Sequence, residues 1–135
     1  MRLQLTNDLS ALATLMEKLD AFVSDEKIGE KAGNQIRLCL DELVTNVVSY
    51  GFDDGQEGKI VIEMTRGPNG VSVHLEDNGK PFNPFEEAAE PDLDAGVDDR
   101  AIGGLGVFFV TSMAKDFGYT RENGRNIVNL TLDID

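Results

Sequence analysis

The chain has 135 residues, 41% of them hydrophobic, which suits one domain around one core. A formal net charge of −13 argues against nucleic acid as a partner, because neutralising phosphates needs clustered Lys and Arg. No apolar run approaches the roughly 20 residues of a membrane helix, the alternating start Met1 to Thr6 lacks a signal peptide's apolar core, and the single cysteine, Cys39, cannot form an internal disulfide, so a cytoplasmic location is expected.

Leu3 to Leu5 reads as a short strand, and Asn7 or Asp8 as the N-cap of the helix that follows. Leu9, Leu12, Met16, Leu19 and Val23 recur at helical spacing and predict one apolar stripe. The polar stretch Ser24 to Gly29 ends that helix. A second helix is predicted from about Glu30 to Tyr50, with Ile36, Leu40, Leu43 and Val47 on one face. Gln35, Glu42, Asn46 and Ser49 form a polar strip at the edge of that face, a pattern that suits the wall of a polar pocket. After an Asp- and Gly-rich loop, Gly51 to Gly58, residues Lys59 to Thr65 alternate with Ile60, Ile62 and Met64 on one face. Gly67 to Gly70 is a turn, and Val71, Val73 and Leu75 continue the alternation, predicting two antiparallel strands.

Asn83 to Ile102 is long and polar, as lids and binding loops often are. Gly103-Gly104-Leu105-Gly106 opens a third helix that reaches about Asp116. Tyr119 to Arg121 and Asn126 to Ile134 read as a closing hairpin around Glu122-Asn123-Gly124-Arg125. The expected fold is a single α+β domain over residues 1–135. It is a two-layer sandwich of a mixed, mostly antiparallel sheet covered on one face by about three helices.

Three motifs carry chemistry. Glu42 and Asn46 are four apart and share a helix face. An amide oxygen can bind Mg²⁺, and a carboxylate beside it can take a proton from a hydroxyl. The same spacing also fits a solvated Glu and Asn on a helix surface. In Asp77-Asn78-Gly79, an Asp at a strand end can accept a hydrogen bond from an exocyclic amine such as adenine's, and Gly79 lets backbone approach a flat ligand. An ordinary turn would look alike. Gly104-Leu105-Gly106 before a helix exposes N–H groups toward an anion without any lysine, although a plain glycine linker would read similarly.

In this order, Glu-x-x-x-Asn on a helix, Asp-x-Gly after a strand, a long polar loop and Gly-Gly-Leu-Gly opening a helix resemble the Bergerat ATP-binding fold. Within it the chain is most similar to the anti-sigma-factor serine/threonine kinases, and the likeness extends to Pro91-Asp92-Leu93, Asp99-Arg100 and Gly124-Arg125-Asn126. The resemblance implies that Glu42 is the general base and that Asn46 is the Mg²⁺ ligand. It implies that Asp77, with Gly79 beside it, recognises adenine, that Gly104, Leu105 and Gly106 bind phosphate, and that Arg100 is a lid cation near the phosphates. Asn126 stands where relatives often carry Thr and is expected to contact nucleotide; Tyr50 stands where many carry His.

The resemblance further implies ATP with Mg²⁺ as cofactors, an anti-sigma-factor antagonist as substrate, a sigma factor as second client, and a homodimer. A non-catalytic ATP-binding module, whose lid state regulates a partner, is the alternative. A detached histidine-kinase ATP domain fits less well, since the only histidine, His74, lies in a strand pattern.

Overall fold

The alternating segments fold as the sequence dictates and form the floor of the molecule. A computed structural model describes residues 1–68, 70–87 and 104–134. Its elements are β1 (Arg2–Thr6), α1 (Ala11–Asp25), α2 (Glu30–Tyr50), β2 (Lys59–Arg66), β3 (Gly70–Asp77), α3 (Pro84–Glu87), α4 (Gly104–Met113), β4 (Ala114–Glu122) and β5 (Arg125–Asp133). The five strands lie in the order β1-β2-β3-β5-β4. All four pairings are antiparallel, where a mixed sheet was expected. The reason is connectivity: β2–β3 and β4–β5 are hairpins, and β1 and β5 join the outer sides of this arrangement antiparallel.

Period-2 alternation sorts the two faces of the sheet. Ile60, Ile62, Met64, Val71, Val73, Leu75, Val128, Leu130 and Leu132 are buried on one face. Between them Glu63, Thr65, Ser72 and Asn129 are exposed on the other. The buried face meets Leu15 and Leu19 of α1 and Ile36, Leu40 and Leu43 of α2 in one continuous core. α2 begins and ends where the pattern predicts.

Three expectations change. Neither Asn7 nor Asp8 is the N-cap of α1; Ser10 occupies that position, without a side-chain cap. Asp8 Oδ1 accepts from Ser10 N–H at 3.0 Å, while Asn7 bridges Gln56 and Gly58 in the loop before β2. Leu9 is consequently 61% exposed, and the buried stripe of α1 runs through Ala11, Leu15, Leu19, Phe22 and Val23. Lastly, α4 stops at Met113 rather than near Asp116. β5 alternates over nine residues, and its partner β4 extends to match it, with an irregular register between Ala114 and Asp116.

The β4–β5 turn sets the site. Asn123 and Gly124 have φ of 51° and 76°. Asn-Gly accepts such angles with little strain, and a two-residue turn of this kind fixes strand register. Glu122 therefore pairs with Arg125, and Arg121 with Asn126.

Candidate functional site

Asp77 is the last residue of β3, directly opposite Asn126 of β5. Only 5% of it is exposed. Its Oδ1 accepts from Gly79 N–H at 2.9 Å and from Asn126 Nδ2 at 3.0 Å. Among the described residues, Oδ2 accepts nothing. Burial raises the Asp77 carboxyl above its ordinary value, opposed by those two hydrogen bonds and by the charge of Arg121.

Asn126 is 3% exposed and holds this corner together. Besides Asp77, its Nδ2 donates to the Lys80 carbonyl at 2.8 Å. Its Oδ1 accepts from Tyr119 Oη at 2.6 Å, Arg121 Nη1 at 3.1 Å and Phe82 N–H at 3.2 Å. Every polar group of the side chain is thus engaged within the protein. These bonds also position the Asp77 carboxylate.

Gly79 also has an internal reason. A Cβ there would lie 2.5 Å from the Gly51 carbonyl oxygen. That carbonyl accepts from Lys80 N–H at 2.9 Å. The missing side chain therefore docks the turn after β3 onto the end of α2.

Glu42 and Asn46 sit one turn apart on α2, as their spacing requires. Asn46 is 6% exposed, and its Nδ2 lies 3.5 Å from Glu42 Oε1, a long hydrogen bond. Asn46 Oδ1 meets no donor among the described residues. Burial raises the Glu42 carboxyl; the bond from Asn46 opposes this and nearby Asp41 adds to it. A carboxylate made more basic by burial is a better proton acceptor. An orphaned, buried amide oxygen fits a hard cation that keeps waters and phosphates as its other ligands.

Beside Asp77 and α2 lies a narrow slot that neither Glu42 nor Asn46 lines. Leu43 and Val47 of α2 form one wall, Leu75 and Val128 the floor, and Phe82 and Pro84 the other wall, with Asp77 and Asn126 as the polar end. Its free volume is about 10 Å³, room for about one water. Two larger hollows, of about 410 and 370 Å³, lie on the open face of the sheet, and neither includes Glu42 or Asn46.

Gly104 is the first residue of α4, as the glycine motif predicts, and α4 packs on α2 and α3. Arg100 and the remainder of the expected lid lie outside the described residues. Tyr50 ends α2 and is 49% exposed. His74 is half-buried on the open face, bonded to Asn129 and Glu76, away from the slot. Burial pushes the Cys39 thiol up to about 11, which makes it unreactive.

Sequence reasoning passed over Tyr119 and Arg121. A signal existed: the Asn-Gly turn places Arg121 opposite Asn126, and Tyr119 two residues away shares its face.

The family profile of the histidine kinase-like ATPase domain matches residues 5–132. The chain belongs to the histidine kinase-like ATPase family. The serine/threonine-protein kinase BtrW of Bordetella bronchiseptica is 32% identical over 71% of this chain and 67% of its own length. The anti-sigma F factor of Bacillus subtilis is 32% identical over 42% of this chain and 39% of its own. These relatives put the chain in the family's anti-sigma-factor kinase branch. Among solved structures, the histidine kinase domain from the Erythrobacter litoralis EL346 blue-light activated histidine kinase superposes with a TM-score of 0.58 at 18% identity. The alignment covers 91% of this chain and 65% of that one, a likeness of fold alone.

Proposed function

We propose that the chain is an ATP-dependent protein serine/threonine kinase that acts as an anti-sigma factor in a partner switch. Its substrate is a small antagonist protein, its other client a sigma factor, and its working form a cytoplasmic homodimer. The observation that carries the reading is the half-satisfied carboxylate of Asp77, buried at the end of an apolar slot whose opposite wall is the helix bearing Glu42 and Asn46.

Asp77 Oδ2 accepts the exocyclic amine of adenine, and the apolar walls take the ring. The slot is nearly closed, so the Phe82–Pro84 segment has to move for the base to enter. Asn46 Oδ1 would hold Mg²⁺, which when bound neutralises phosphate charge in a chain of net charge −13. N–H groups of Gly104, Leu105 and Gly106, at the positive end of α4, receive the phosphates, and Arg100 adds a cation to them. Glu42 takes the proton of a partner's Ser or Thr hydroxyl. The hydroxyl oxygen bonds to the γ-phosphorus as the bond from phosphorus to the ADP oxygen breaks, and that oxygen leaves with the electron pair.

The test combines an ATP titration, with and without Mg²⁺, and incubation with γ-labelled ATP and the antagonist encoded nearest to the gene. Label on a partner Ser or Thr is the expected result. Binding without transfer to any candidate favours the non-catalytic module. No ATP binding even with Mg²⁺ rules out the pocket itself.

A further inference from the structure

The carboxylate of Asp77 is held by a relay that begins on the sheet's outer strand. Arg121, Asn126 and Asp77 stand opposite one another across β4, β5 and β3. Arg121 reaches in from the exposed edge, and its Nη1 bridges Asn126 Oδ1 at 3.1 Å and the Gly79 carbonyl at 2.7 Å. Tyr119 donates its hydroxyl to the same Oδ1 at 2.6 Å. Asn126 Nδ2 then fixes Asp77 Oδ1 at 3.0 Å.

Oδ1 of Asn126 serves three donors with two lone pairs, so the amide is over-subscribed. The flipped amide would set Nδ2 against those donors and Oδ1 against two acceptors, so only one orientation is satisfied. A carboxylate pinned in this way, in a residue that lines the slot, keeps Oδ2 as a pure acceptor. It matches the 6-amino group of adenine and repels the 6-oxo group of guanine. A carboxyl free to turn, or to carry a proton, loses that distinction. Arg121 also favours the ionised form of Asp77 through its charge.

We propose that Tyr119 and Arg121 are positioning residues that set a preference for adenine over guanine nucleotides, acting through Asn126 on Asp77. The proposal deepens the kinase reading and rests on its assignment of the base to the slot.

The experiment measures Kd for ADP and GDP with Mg²⁺ by calorimetry, alongside thermal midpoints. It uses the wild-type chain, Tyr119→Phe, Arg121→Gln, Arg121→Lys, the double variant Tyr119→Phe/Arg121→Gln and the open-face control Thr120→Val. Wild type is expected to prefer ADP strongly. Tyr119→Phe and Arg121→Gln each reduce the ADP/GDP preference about three- to tenfold, mainly by weakening ADP. Arg121→Lys keeps the charge but loses the fork and falls between. The double variant loses less than the product of the single losses, because both act through one oxygen. Thr120→Val leaves the ratio unchanged.

A merely structural role would lower the midpoint and weaken both nucleotides alike, and that result overturns the proposal. An ADP preference left intact in Tyr119→Phe and Arg121→Gln overturns it while the kinase reading stands. Wild-type protein that binds neither nucleotide overturns both. Tyr119→Phe removes a single oxygen and decides the matter should Arg121→Gln fail to fold.

Discussion

The two ends of the candidate site are built on opposite plans. At the Asp77 end, Asn126 makes five hydrogen bonds no longer than 3.2 Å and leaves no polar atom idle. At the α2 end, Glu42 and Asn46 share one bond of 3.5 Å, and Asn46 Oδ1 meets no donor among the described residues. Saturation fixes geometry, which recognition of a flat base requires. Unsatisfied groups stay available to exchange ligands and protons, which phosphoryl transfer requires. The first end is therefore expected to respond to mutation in stability and base selectivity, and the second in rate.

The sharpest break of this comparison is Glu42→Ala. Loss of a general base lowers phosphotransfer about 10²- to 10⁴-fold. Nucleotide affinity is expected to stay within about threefold, since nothing in the Asp77 corner rests on Glu42. Rate and Kd measured on one preparation check the split. A parallel loss of affinity would mean that the α2 end also shapes the base site.

Next in size is a pair of truncations read by urea denaturation. Asn126→Ala strands Tyr119, Arg121 and the Lys80 carbonyl, and costs about 2–4 kcal/mol. Asn46→Ala removes a residue equally buried but joined by one long bond, and costs about 1 kcal/mol or less. Its effect is functional instead: ATP binding loses its dependence on Mg²⁺. Equal destabilisation by the two would erase the contrast.

Which end was legible in the sequence follows the same division. Glu42 and Asn46 were readable because helical periodicity places residues four apart on one face whatever the tertiary packing. The strand alternation of Ile60, Ile62, Val71 and Val73 was readable for a like reason, and so was the turn at Asn123-Gly124. The hydrogen bonding of Asn126 was not, because it depends on three donors from two other segments: Phe82 after β3, and Tyr119 and Arg121 on β4. The packing of Gly79 on Gly51 was not legible, because the two are 28 residues apart in sequence. The start of α1 was misplaced because Asn7 binds the loop near Gln56 and Gly58 instead of capping its own helix. Local chemistry was visible, and long-range hydrogen bonding was not.

The smallest effect tests whether the two ends share anything. Burial raises the Asp77 carboxyl above its ordinary value of 3.8, and the Glu42 carboxyl above 4.5. Between the ordinary value and the raised one, the folded chain holds a proton that the unfolded chain has released. Folding stability therefore falls as pH rises through that window, and the deficit persists at neutral pH. Asp77→Asn removes the deficit while an amide oxygen still accepts from Gly79 and Asn126. The variant is expected to be at least as stable as wild type at pH 7, with the advantage shrinking as pH falls toward 3.8. Glu42→Gln should behave alike toward 4.5. Urea midpoints between pH 4 and 7 give the sign directly. If both variants gain stability while losing affinity or rate, each end keeps a buried charge for function against the interest of the fold. If Asp77→Asn is the less stable protein at pH 7, the Asp77 end stabilises its own charge, and only the α2 end sacrifices stability for chemistry.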